Sequence, residues 1–247
     1  MPGRQVLLLY PPYEYDISRY QLGNYTAIHA PPLGLGYLAS ALMDRGFGVD
    51  IVNMALEGMT PADANRLVGE ARPMLVGISG HMAFHYLQSI EVARAIKQYN
   101  PNIPVVFGGT QATFLAKDTL HRHSEVDFVV LGEGEESICE LAEFIASGAN
   151  QQGATPPAGV AYRGTDGIGS RPRALASKLD AFPPPDRRLL QVRRYPDESK
   201  GVISTSRGCP HRWAFCSTAS VFPGKIRRHS TRRVIEELEQ MVGDFAI

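Results

Sequence analysis

Five short apolar runs alternate with segments of helical periodicity over residues 6–147, and this alternation limits the fold more than any other feature of the chain. The first run, residues 6–10 (Val-Leu-Leu-Leu-Tyr), is continuous and stops at Pro11-Pro12, the pattern of a strand buried on both faces. Residues 49–52, 74–78, 104–107 and 126–131 read as four more strands. Between the first two, Leu35, Leu38, Ala39 and Leu42 recur at helical spacing, entered at Pro32 and stopped at Gly46. Residues 61–70, 84–98, 111–120 and 135–147 read as the helices that follow. Strands joined by helical crossovers pair in parallel. Residues 1–150 are therefore expected to form an α/β domain with a doubly wound parallel five-stranded sheet. Sheets of this class bind ligands beyond the carboxyl ends of their strands, where strand order reverses.

The pattern changes after residue 150. A polar linker covers 150–157, and residues 159–163 and 170–174 flank Thr165-Asp-Gly-Ile-Gly169 as a hairpin would. Residues 180–199, with Pro183-Pro184-Pro185 and four arginines, read as an extended connector, so 151–199 is a hairpin plus linker. The last section, 200–247, begins with an apolar strand at 201–204 and a turn at Arg207-Gly208. It ends in a helix marked by Val234, Ile235, Leu238, Met241 and Val242, with Ser230 as its N-cap and Gly243 at its end.

Charge separates the same regions. The net charge is zero, yet residues 1–150 carry 9 Lys and Arg against 16 Asp and Glu, and residues 151–247 carry 16 against 9. An anionic ligand of the basic half is one reading, and nucleic acid is another. The arginines are scattered through a Pro-rich connector without a recognised nucleic-acid motif, which argues against the second. The three cysteines, Cys139, Cys209 and Cys216, are too few and odd in number for a disulfide framework, and they fit a reducing compartment. No apolar run has the length of a membrane span and no signal-peptide pattern opens the chain, so a cytoplasmic protein is expected.

Ligand-facing loops should follow the strands. They read Gly77-Ile-Ser79-Gly80-His81, Gly108-Gly109-Thr110-Gln-Ala-Thr113 and Gly132-Glu133-Gly134-Glu135, so three successive strand ends carry glycines that permit close backbone approach to a bulky ligand. No Gly-x-Gly-x-x-Gly follows the first strand and no Gly-x4-Gly-Lys-Ser/Thr occurs, which excludes the usual nicotinamide and nucleoside triphosphate motifs. These loops, with Pro31-Pro32-Leu-Gly-Leu-Gly36-Tyr-Leu-Ala, resemble in their order the cobalamin (B12)-binding domain that precedes many radical S-adenosylmethionine (SAM) enzymes. The resemblance implies a Rossmann-like domain whose loops cradle the corrin ring. Carried over residue by residue, it implies Ser79, Gly108, Gly109, Thr113, Gly132, Glu133 and Gly134 as cobalamin contacts. Many cobalamin proteins supply a histidine to cobalt after the first strand; here that place is Tyr10-Pro11-Pro12-Tyr13. Of His29 and His81, both are better read as ordinary hydrogen-bonded or solvated histidines.

The stretch Gly208-Cys209-Pro-His211-Arg-Trp213-Ala-Phe215-Cys216 is similar to the cluster loop of the same family, Cys-x3-Cys-x2-Cys with an aromatic before the last cysteine. The resemblance implies Cys209 and Cys216 as ligands of a [4Fe–4S] cluster, SAM on its free iron, and Phe215 beside the adenine. Trp213 stands where the middle cysteine belongs, and its indole nitrogen is a donor only. A zinc site from Cys209, His211 and Cys216 would need a fourth ligand and matches no common zinc module. Residues 200–247 correspond to the first strand, loop and helix of a barrel that runs to about 250 residues in TIM-type folds. The expectation is thus the front portion of a radical SAM methyltransferase or cyclase acting on an unidentified small molecule. Such a portion would be inactive alone unless a second chain completes the barrel. The alternative is a non-catalytic cobalamin-binding module.

Overall fold

The computed structural model describes residues 3–12, 30–80, 83–211, 213–222 and 226–247. In chain order the elements are β1 (Gln5–Tyr10), α1 (Leu33–Asp44), β2 (Gly48–Asn53), α2 (Ala64–Ala71), β3 (Leu75–Ser79), α3 (Ala83–Tyr99) and β4 (Val105–Gly108). Then follow α4 (Thr110–Phe114), α5 (Ala116–Arg122), β5 (Phe128–Val130), α6 (Glu135–Ala146), β6 (Val160–Gly164) and β7 (Gly167–Ser170). The remainder is α7 (Asp197–Lys200), β8 (Ser206–Arg207), α8 (Thr218–Val221), β9 (Arg227–Arg228) and α9 (Thr231–Phe245). Among the described residues no helix is long and apolar enough to cross a membrane. They divide into two compact units, 3–12 with 38–174 and 30–37 with 175–247.

In the first unit a seven-stranded sheet runs in the order β2-β1-β3-β4-β5-β6-β7. The five expected strands pair in parallel. Strand order reverses between β1 and β3, the switch point of a doubly wound sheet. Along β1 the pleat sends Leu7 and Leu9 to one face, where they join Val76, Ile78, Val105, Phe107 and Val129 with Leu67, Ile90, Ile96 and Leu120 in one core. Val6 and Leu8 on the other face are buried as well, so both faces of the sheet are covered. Each such side chain contributes about 1.5–3 kcal/mol by leaving water.

The expected hairpin is present, but it continues the sheet instead of standing apart in a linker. β6 pairs antiparallel with β5, and β7 with β6. The cause is tertiary. Val160 and Ala161 are buried, and the Arg163 guanidinium donates to the carbonyls of Leu120, His123 and Val126, tying β6 to the end of α5 and the approach to β5. An unpaired parallel edge is thereby closed. The expected helix 111–120 is broken at Leu115 (φ −93°, ψ 10°) into α4 and α5.

In the second unit the expected strand at 201–204 does not form. The carbonyl of Val202 accepts from Arg187 Nη2 (2.8 Å) rather than from a neighbouring strand. The strand begins only at β8, whose partner is the equally short β9. α9 is capped as expected, with Ser230 Oγ accepting from the Arg233 amide (3.2 Å). It runs through Gly243 and ends at Ala246, which takes the left-handed conformation (φ 54°). Its buried stripe is Glu237, Met241 and Phe245, while Ile235, Leu238 and Val242 are exposed. Glu237 is matched by Arg187 at 2.5 Å, the two side chains being 2% and 1% exposed.

Candidate functional site

The carboxyl ends of β3, β4 and β5 lie side by side on one edge of the sheet, because the strands are parallel neighbours and Ser79 pairs with Gly108. The loops that leave this edge are joined to one another. The Gly80 amide donates to Gly108 O (2.7 Å), and the Ala112 amide donates to Gly80 O (3.1 Å), linking the loops after β3 and β4. Thr113 Oγ1 donates to Gly109 O (2.9 Å) and accepts from the Gly132 amide (3.0 Å), linking the loops after β4 and β5. The structure therefore brings Ser79, Gly108, Gly109, Thr113 and Gly132 onto one rim, with Glu133 and Gly134 following in chain order.

Glycine is required at two of these positions. Gly109 (φ 99°) and Gly132 (φ 68°) occupy the left-handed half of backbone space. Among the described residues, a Cβ on Gly132 would find no atom within 4 Å, so this point of the rim is open with respect to them. Gly134 serves packing instead: a Cβ there would come 3.0 Å from Leu38 Cδ2. Ser79 is half-buried, and its carbonyl accepts from Ser89 Oγ (3.4 Å). Backbone groups rather than large side chains thus form the rim at Gly108, Gly109 and Gly132. His29 and His81 lie outside the described residues.

At the switch point itself the periodicity of α3 concealed a residue. His85, in the first turn of α3, is fully buried, and its ring meets that of Tyr10 at the end of β1 edge-on, with centroids 5.0 Å apart. It would have been found only by asking which side chain follows the strand at which the order reverses.

The cysteine loop lies in the second unit. Gly208 (φ 99°) turns the chain into it, and Cys209 and Cys216 are both half-exposed. The Cys216 amide donates to Trp213 O (3.0 Å), closing a turn over 213–216. The rings of His211, Trp213 and Phe215 stack in series, with centroids 5.4 and 5.6 Å apart. Trp213 is 55% and Phe215 86% exposed. Among the described residues no group of three or more His, Cys, Asp or Glu gathers in metal-binding proximity. Two thiolates and an indole do not fit a cluster held at three corners.

Cys139 is no reserve ligand. It is buried in α6, and burial pushes its thiol up to about 12. At pH 8 a thiol reagent is expected to modify Cys209 and Cys216 within minutes and Cys139 only after denaturation. Three fast-reacting thiols in the native protein would contradict this burial.

Comparison with known proteins adds to this geometry. Residues 24–142 match the family model of the B12 binding domain. The chain is 33% identical over 250 residues to an uncharacterised methyltransferase of Pyrococcus horikoshii, an alignment spanning 100% of this chain and 52% of that protein. It is 26% identical over 240 residues to the anaerobic magnesium-protoporphyrin IX monomethyl ester cyclase of Synechocystis, with 95% and 46% covered. Its fold is similar to that of the radical SAM methyltransferase TsrM from Kitasatospora setae, solved with cobalamin and a [4Fe–4S] cluster bound. The TM-score is 0.71 at 20% identity, with 98% of this chain and 46% of that chain covered. The chain thus spans about half the length of these relatives.

Proposed function

The chain belongs to the family of B12-binding-domain radical SAM proteins, and we propose that it binds cobalamin over the glycine rim of its first unit. The observation that carries this reading is the hydrogen-bonded rim at the ends of β3, β4 and β5, open at Gly132 and built where a doubly wound sheet takes its ligands. Gly108, Gly109 and Gly132 would let the corrin approach the backbone, with Ser79 and Glu133 offering polar contacts at its margin. When bound, cobalamin would supply a cobalt centre able to carry a methyl group. The position after β1 holds Tyr10-Pro11-Pro12, so that centre would receive no histidine from this turn.

Gel filtration after mixing with hydroxocobalamin tests the reading. The expected result is corrin absorbance that comigrates with the protein at close to one equivalent. Protein that elutes colourless from a micromolar mixture would sink it.

The family's chemistry is SAM cleavage at a [4Fe–4S] cluster followed by methyl transfer or cyclisation of an unreactive small molecule, and the loop of this chain, with Cys209, Trp213 and Cys216, does not fit that cluster. Residues 200–247 would contribute the cysteine loop and the following helix α9 to such a barrel. Trp213 favours a second reading for the chain as it stands, a cobalamin-binding module without cluster chemistry of its own. The free cysteines fit a reducing cytoplasm.

A further inference from the structure

Resemblance alone makes Thr113 a cofactor contact, but its bonds in the structure are already committed elsewhere. Thr113 Oγ1 uses its proton on Gly109 O (2.9 Å) and a lone pair on the Gly132 amide (3.0 Å). The Thr113 amide also donates to Gly109 O (2.9 Å), so this carbonyl is held twice by one residue. Both glycines have positive φ, 99° and 68°, and neither has a side chain to fix its own orientation. The loops after β3 and β4 are linked through backbone groups of Gly80, Gly108 and Ala112. Between the glycine loops after β4 and β5, a link runs through a side chain, that of Thr113.

We propose that Thr113 is a positioning residue whose hydroxyl locks the two glycine loops into one pre-organised rim. The claim rests on the cobalamin reading for its ligand, but not for its geometry. A glycine loop without this tie samples more conformations, and the ligand must then meet the ordering cost on binding. Valine has the shape of threonine without the hydroxyl, so Thr113→Val leaves the Gly132 amide without its acceptor and frees the Gly109 carbonyl from one donor. Serine retains the oxygen.

The test compares the chain with its Thr113→Val and Thr113→Ser variants. Hydroxocobalamin is titrated by corrin absorbance, and amide hydrogen exchange at Gly132 is followed by NMR without cobalamin. Thr113→Val is expected to bind about tenfold more weakly and to lose exchange protection at Gly132, while Thr113→Ser stays within about twofold on both measures. Thermal unfolding of the two variants separates a loosened rim from a lost fold, because only the latter also lowers Tm steeply. Unchanged affinity together with unchanged Gly132 exchange in Thr113→Val would overturn the proposal. If the unsubstituted chain binds no corrin, the cobalamin reading falls. The exchange measurement still decides the brace: protection lost in valine and kept in serine supports it, and equal protection overturns it.

Discussion

Anaerobic reconstitution of the Trp213→Cys variant with iron and sulfide is expected to give close to one four-iron cluster per chain, where the unsubstituted chain gives well under one. Iron–sulfur clusters are held by cysteine thiolates, and the loop offers two, Cys209 and Cys216. The 213–216 turn, closed by the Cys216 amide on Trp213 O (3.0 Å), keeps its first and last α-carbons within about 7 Å. A thiol at position 213 would therefore stand near that of Cys216, with Cys209 four residues earlier to complete the Cys-x3-Cys-x2-Cys spacing. Trp213 is half-exposed and contacts the rings of His211 and Phe215, so its removal opens no core cavity. Cys139 supplies the internal control: as a buried thiol in α6 it should add nothing, and Cys139→Ala should leave iron content unchanged. The readouts are iron and sulfide per chain and the brown charge-transfer absorbance. A full four-iron complement in the unsubstituted chain would refute the argument, and so would a Trp213→Cys variant with no gain.

The parts of the fold that were legible depend on one segment at a time. The unbroken apolar run ending in Tyr10 can only be a strand covered on both faces, and the helical crossovers leave no choice but parallel pairing. Ser230 caps α9 through a bond to a residue three positions away. What escaped depends on partners distant in sequence. The hairpin joins the sheet because Arg163 reaches carbonyls some 40 residues back. Residues 201–204 have the composition of a strand, yet a strand exists only if a neighbour pairs with it, and Arg187 takes the Val202 carbonyl instead. The candidate site divides in the same way. Glycines at strand ends could be seen as a pattern, whereas the tie between Thr113 and Gly132 joins two loops whose closeness no local periodicity encodes. The buried face of α9 was concealed because it contains a carboxylate, and a count of apolar residues favours Ile235, Leu238 and Val242, which are exposed.

That carboxylate is the basis of a stability test. Glu237→Leu is expected to destabilise the second unit by about 3–5 kcal/mol, because it leaves the buried Arg187 guanidinium without its counter-charge. Arg187 is 1% exposed at its side chain and donates Nη2 to Glu237 Oε1 (2.5 Å) and to Val202 O (2.8 Å). The second bond satisfies a donor but not the charge. A guanidinium does not shed its proton, so the variant has no chemical escape from the buried cation. Arg187→Met should also destabilise, by stranding the carboxylate. The double variant, Arg187→Met with Glu237→Leu, replaces the pair by apolar groups of similar volume and is expected to recover most of the loss, since a buried pair gains little over a well-packed apolar contact once its desolvation is counted. Urea unfolding followed by the fluorescence of Trp213, the chain's one tryptophan, reports on this unit, and circular dichroism reports on the helices. The double-mutant cycle then gives a coupling energy directly. A coupling near zero, with each single variant costing under about 1 kcal/mol, would match a solvent-screened pair and contradict the burial described for Arg187 and Glu237.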